Sequence, residues 1–149
     1  MNNVKNFGAV GDGCADDTAA VQAAIDAGGM VCFPPGTYRC GTLYLKSNGG
    51  LHLEADAVLL ASPDKEDYNA DDFCVQNAVF SKDMVSGAHF IVAVGQENIT
   101  IEGPGRIDGN RAVFYEPPED WRNIWRNPIE WRPAQMIFLC ECVNVRVAV

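Results

Sequence analysis

Residues 7–29 read FGAVGDGCADDTAAVQAAIDAGG, and the rest of the chain is best understood from this stretch. In its first half, Gly8, Gly11, Asp12 and Gly13 make a loop that needs permissive backbone angles. Asp16, Asp17 and Thr18 offer side-chain oxygens to the N–H groups left over at a helix start, and their charge suits the positive end of the helix dipole. From Thr18 to Ala27 the residues Val21, Ala24 and Ile25 stand at i, i+3 and i+4, which predicts a helix with one narrow buried face. Gly28 and Gly29 stop it. Almost every segment beyond Gly29 reads as β. The helix is therefore expected to cover the open end of whatever the strands build, a standard protection for exposed strand edges.

Working outward, Met30 to Phe33 is a short apolar strand ended by the turn Pro34-Pro35-Gly36. Thr37 to Cys40, Thr42 to Lys46, Leu51 to Glu54 and Ala57 to Leu60 come next, with small polar corners and no helix between them. A βαβ pattern would need crossovers of about a dozen residues, and none is present here. The alternation then recurs: Leu51-His52-Leu53-Glu54, Ile99-Thr100-Ile101-Glu102 and Val145-Arg146-Val147-Ala148 begin 48 and 46 residues apart. Asn98 and Asn144 precede their strands at one offset, as at one recurring corner. Leu43–Leu45, Phe90–Val94 and Met136–Leu139 precede the three copies. Insertions over about 62–86 and 110–133 separate them. Without these, the repeating unit is roughly 20 to 25 residues, the size of one β-solenoid coil. A single sheet wrapped into a solenoid is the expectation, and a β-sandwich of short strands fits the alternation almost as well.

Composition sets further bounds. The hydrophobic content of 48% over 149 residues suffices for one core. No apolar run reaches the 18 residues of a membrane span, and Met1 to Asn6 lacks the apolar centre of a signal peptide, which leaves the compartment open. The six cysteines show no metal or disulfide spacing; Cys32, Cys140 and Cys142 sit in apolar runs and read as reduced core residues. All of the −9 net charge falls in residues 1–105, while 106–149 balance six arginines against six carboxylates. Nucleic acid, which needs a basic face, is therefore not an expected partner. An acidic polymer would be repelled by the first two thirds and accepted only near the arginines.

The motifs, in order, resemble a known family. FGAVGDG with DDT, an amphipathic helix and a glycine pair is similar to the opening of right-handed parallel β-helix enzymes acting on polysaccharides. Residues 33–38 (FPPGTY), 41–48 (GTLYLKSN), 51–59 (LHLEADAVL), Ser62-Pro63-Asp64 with Tyr68, 98–101 (NITI), 105–109 (GRIDG) and Arg132-Pro133 resemble glycoside hydrolase family 28, which contains the polygalacturonases. The resemblance implies an all-β, right-handed parallel β-helix with a short N-terminal capping α-helix: residues 1–29 form the capping loop and helix, and 30–149 the first coils. It also implies aspartate acid/base cleavage of galacturonide linkages in an acidic, pectate-like plant polysaccharide, without a cofactor or metal. The family's Asn-x-Asp, Asp-Asp, Gly-His-Gly and Arg-x-Lys motifs come after the Arg-Pro region, and none occurs beyond Pro133 here. The resemblance thus implies a β-helix truncated at the C-terminus, with no catalytic residue in this chain. The last coil would then need its missing coils or self-association through the open end. A non-catalytic carbohydrate-binding solenoid and a lyase or phage depolymerase of the same fold are the alternatives.

Of the residues that are here, Asp64, Glu66 and Asp67, and Glu116, Glu119 and Asp120, read as solvated acidic loops, the adjacent Asp71 and Asp72 would point to opposite faces of a strand, and His52, alternating with two leucines, reads as a surface or corner side chain. The segment 110–133 is different. Trp121, Trp125 and Trp131 interleave with Arg111, Arg122, Arg126 and Arg132, and one helical turn would group the members four apart. Aromatic rings cover the apolar faces of sugars, and an arginine fork pairs bidentately with a uronate carboxylate. These seven residues are the substrate-binding candidates. The other reading of the same residues is that the tryptophans anchor the loop and the arginines pair with Glu116, Glu119, Asp120 and Glu130.

Overall fold

The computed structural model describes residues 1–77, 86–115 and 131–149. Among these, twelve strands form three parallel sheets. The first holds β1 (Asn2–Asn3), β3 (Met30–Phe33), β6 (Gly49–Leu53), β9 (Glu97–Glu102) and β12 (Val143–Ala148). The second holds β2 (Asp12–Asp16), β4 (Gly36–Cys40), β7 (Ala57–Ala61) and β10 (Arg106–Asp108), and the third β5 (Leu43–Tyr44), β8 (His89–Val94) and β11 (Gln135–Cys140). The chain visits the sheets in turn and climbs one strand per circuit, so this is a right-handed parallel β-helix with three faces rather than one wrapped sheet. Polar corners break the strands into separate faces, and the expected Thr42–Lys46 strand shortens to Leu43–Tyr44.

Inward side chains stack in register from coil to coil: Val31 on Leu51 on Ile101, Tyr38 on Leu59 on Ile107, Leu43 on Ile91 on Ile137. Most of this interior is inaccessible to solvent, and burial of such side chains is worth ~1.5–3 kcal/mol each. The recurring alternation sets Leu51 opposite Ile99; the ladder instead pairs Gly49 with Ile99 and Leu51 with Ile101. The two glycines of the first copy belong to the strand, and they hide that strand's true start. The corner is better marked by asparagine. Asn48, Asn98 and Asn144 all take left-handed φ of 56–60°. Their side chains form a ladder, Asn98 Nδ2 donating to Asn48 Oδ1 at 2.8 Å and Asn144 Nδ2 to Asn98 Oδ1 at 2.7 Å.

The first circuit places α1 (Thr18–Asp26) where a strand of the third sheet would run, with Val21, Ala24 and Ile25 buried as expected. Its Gln22 serves as a substitute strand. The side-chain amide accepts from Tyr44 N at 2.9 Å and donates to Tyr44 O at 3.0 Å, satisfying the free edge of β5.

The two aspartates before the helix divide their work, and the capping role expected for Asp17 needs correction. Asp16 Oδ1 accepts from Thr18 N at 3.0 Å. Asp17, only 2% exposed, turns away from the helix, and its two oxygens accept from Val10 N at 2.7 Å and Gly11 N at 2.9 Å. It clamps the glycine loop, where a Cβ on Gly11 would lie 2.8 Å from the Tyr38 ring. The cysteines also differ from expectation. Cys40 is the fully buried one, while Cys32, Cys140 and Cys142 are half-buried. Apolar neighbours in sequence do not make a residue inward-facing when alternate positions point outward.

Candidate functional site

Both long insertions leave the β-helix at the same corner. The first joins β7 to β8 and the second joins β10 to β11, each spanning the gap from the second sheet to the third. Because β7 and β10 are paired neighbours, the two exits lie one strand spacing, about 4.8 Å, apart. Asn110, in left-handed conformation with φ 53°, fastens the upper exit to the lower by donating from Nδ2 to Ala61 O at 3.0 Å.

The one-turn α2 (Arg111–Phe114) comes next, and it buries Phe114. Where the chain returns, Trp131 packs its ring 6.1 Å from Phe114 and 5.3 Å from Tyr68 of the first insertion. Ser86 Oγ donates to Arg132 O at 2.6 Å, which ties the two insertions together. Arg111 and Arg132 consequently converge on one ring. Their guanidinium carbons stand 6.0 and 5.8 Å from the centre of Tyr115, within cation–π range. All three line a cleft of about 280 Å³ that Phe114, Asp108 and Met136 help to close. Among the described residues neither arginine has a carboxylate partner, whereas Asp108 is held by Arg106 at 3.4 Å. Two cations beside an aromatic ring, with a partly apolar floor, suit an anionic ligand carrying an apolar face.

Of the seven binding candidates, Arg111 and Arg132 meet here, and Trp131 packs behind Phe114 of the cleft wall as an anchor. Trp121, Arg122, Trp125 and Arg126 lie outside the described residues. Tyr115, which holds the two arginines in place, was missed. Its signal was its position at the head of the same aromatic and basic segment.

The acidic groups of the first insertion are mostly engaged in holding it. Asp64 stands 3.6 Å from Arg39, Asp67 accepts from the Ser62 hydroxyl, and Asp71 Oδ1 accepts from Gly87 N at 2.6 Å. His89, 2% exposed, stacks on Phe138 at 4.4 Å and shares a 2.8 Å hydrogen bond between its Nε2 and Asn77 Oδ1. Burial holds its imidazole below the usual 6.5. His52 lies on the outer side of β6, 3.6 Å from Glu102, which also pairs with Arg146. A second cleft, of about 590 Å³, opens between Trp131 and the first insertion.

Residues 1–53 match the family model described as rhamnogalacturonase A/epimerase, pectate lyase-like. An exo-poly-alpha-D-galacturonosidase of Dickeya chrysanthemi is 39% identical over 116 residues, which is 72% of this chain and 19% of that protein. A mannuronan C5-epimerase of Azotobacter vinelandii is 46% identical over 65 residues, 40% of this chain and 4% of that protein. The fold is similar to that of a family 28 exopolygalacturonase of Yersinia enterocolitica, with a TM-score of 0.71 and 26% identity over 98% of this chain and 33% of that one. The chain therefore spans a fifth or less of these curated relatives.

Proposed function

We propose that this chain, a glycoside hydrolase family 28-like parallel β-helix, carries part of the substrate-binding surface of an enzyme cleaving galacturonide linkages in an acidic polysaccharide. The observation that carries the reading is the convergence of Arg111 and Arg132 on Tyr115 in one cleft. A uronate carboxylate is planar and bidentate, as is the guanidinium fork, and the pyranose ring offers C–H groups to the tyrosine face. The likeness to an exo-poly-alpha-D-galacturonosidase supports the same substrate class. Acid and base aspartates are not assigned to any residue of this chain, whose role is to hold one end of the sugar polymer.

The test is calorimetric titration of the 149-residue chain with an oligogalacturonide and with a neutral galactose oligomer. The anionic oligomer binds and the neutral one does not, and Arg111→Gln or Arg132→Gln each weakens binding by about 10- to 100-fold, the worth of one charge-assisted pair. Unchanged affinity in both variants overturns the assignment. No new reducing ends form with this chain alone; turnover would overturn the claim that it binds without cleaving. The 46% identity to a C5-epimerase favours one second reading, proton abstraction next to the uronate carboxyl in the complete enzyme. Epimerisation would invert C5 and leave the chain length unchanged, elimination would add an unsaturated end absorbing in the ultraviolet to each new reducing end, and hydrolysis would give reducing ends alone.

A further inference from the structure

The second cleft has an aromatic wall of its own, Trp131 with Tyr68, and Trp131 also packs against Phe114, which lines the arginine cleft. The second cleft's hydrogen-bonding capacity can be counted. Asn69 is largely spent: Oδ1 accepts from His89 N at 2.8 Å, Nδ2 donates to Ala70 O at 2.7 Å and Gly87 O at 2.9 Å, and the nearby Thr42 hydroxyl gives its proton to His89 O at 2.7 Å. The Ser86 hydroxyl already donates to Arg132 O, and one Asp71 oxygen is taken by Gly87 N. What remains, among the described residues lining the cleft, is the other Asp71 oxygen, the Glu66 carboxylate, and the Lys65 ammonium, 5.9 Å above the Trp131 ring. Two carboxylates outweigh one ammonium. Carboxylate oxygens only accept hydrogen bonds, so they call for hydroxyl donors, and a ligand carboxylate beside them would meet like charge.

We propose that this cleft is a second sugar subsite, adjoining the arginine cleft, and that it takes an uncharged pyranose: a neutral sugar, or a uronate whose carboxyl is esterified. The inference rests on the arginine cleft being a uronate site. Its consequence is a preferred substrate pattern, in which a free uronate seated between Arg111 and Arg132 is followed by an uncharged residue against Trp131. A chain of free uronates would place one carboxylate well and the next one badly.

Three oligosaccharides of equal length test this on the 149-residue chain by calorimetry: one with every uronate free, one partly methyl-esterified, and one alternating uronate with a neutral sugar. At least one of the two patterned oligomers is expected to bind about tenfold tighter than the fully charged one, and which of them does so identifies the source of the uncharged residue. Glu66→Gln, whose native side chain makes no described contact, and Glu66→Gln combined with Asp71→Asn, which keeps an oxygen for Gly87 N, should tighten binding of the fully charged oligomer and erase the preference. The proposal is overturned if the fully charged oligomer binds the unaltered chain as tightly as both others, or if the double variant leaves the ratios unchanged. Arg111→Gln and Arg132→Gln separate the two readings. If they weaken no oligomer, the arginine reading fails and takes this one with it. If they weaken all three while the Glu66 and Asp71 changes do nothing, this proposal alone fails.

Discussion

Replacing Asp17 should cost far more than replacing its neighbour Asp16, although both precede the same helix. Asp17 is 2% exposed and accepts two backbone N–H bonds, at 2.7 and 2.9 Å, from the successive amides of Val10 and Gly11. A hydrogen bond to a charged group is worth ~1.5–3 kcal/mol, so Asp17→Ala removes up to about 6 kcal/mol on paper. Val10 is 52% exposed and its N–H can recruit water, which brings the expected loss to about 3–4 kcal/mol. At ~2–4 °C per kcal/mol for a chain of this size, the melting temperature falls by about 6–16 °C. Asp17→Asn keeps one acceptor but turns an amide donor toward the other N–H, and should fall between Ala and the unaltered chain. Asp16→Ala removes a bond to Thr18 N at the exposed helix start, worth about 1 kcal/mol. Thermal and urea unfolding of the three variants decides the matter. If Asp16→Ala matches or exceeds Asp17→Ala, the clamp is not what holds the N-terminal loop, and both residues are simple caps.

Three further outcomes are expected. Gly50 has φ +154°, and a Cβ there would sit 1.7 Å from Thr100 O on the paired strand, so Gly50→Ala should destabilise by more than about 3 kcal/mol; a urea midpoint within error of the parent's would contradict the β6–β9 register. His89 is held below 6.5 by burial, so the unfolded chain takes up its proton first; stability is full above 6.5 and declines as pH falls from there through the folded value. His89→Phe should flatten that decline, and equal melting curves for parent and variant between about pH 7 and 5 would show that His89 does not carry it. Burial first, and then the Glu54 hydrogen bond, push the Cys32 thiol up to about 11 from 9.0, so it should alkylate roughly 100-fold more slowly than a thiol of ordinary acidity. Exposed Cys14 should label first by mass spectrometry, and equal rates would refute the shielding.

Much of the architecture was legible because it is local or periodic. The helix was readable from three apolar residues at i, i+3 and i+4, and the repeating corner from Asn98 and Asn144, since only a few residue types tolerate left-handed φ there. The register was not readable at Gly49 and Gly50, which carry no side chain to show which way they face; their place in β6 is set by the close approach of Thr100. Gln22 as a substitute strand and Asp17 as a loop clamp likewise depend on partners 6 to 22 positions away, and no local rule points to them.

The candidate site divides the same way. Composition and spacing singled out Arg111, Trp131 and Arg132 as one segment rich in rings and cations, because the chemistry of a uronate selects those residue types. Which of them meet was decided by the coil. A parallel β-helix brings residues one circuit apart to within about 4.8 Å regardless of how much chain is looped out between them. Arg111 and Arg132 stand on either side of one such loop within a single circuit; both of its ends meet the corner between the second and third sheets, and Tyr115 joins them there. Trp131 lands between the two clefts because the Ser86 hydroxyl and the Tyr68 ring of the previous circuit receive it. Residue type was legible in the sequence, whereas the corner where the loop departs and returns, with the circuit before it, determined which residues meet.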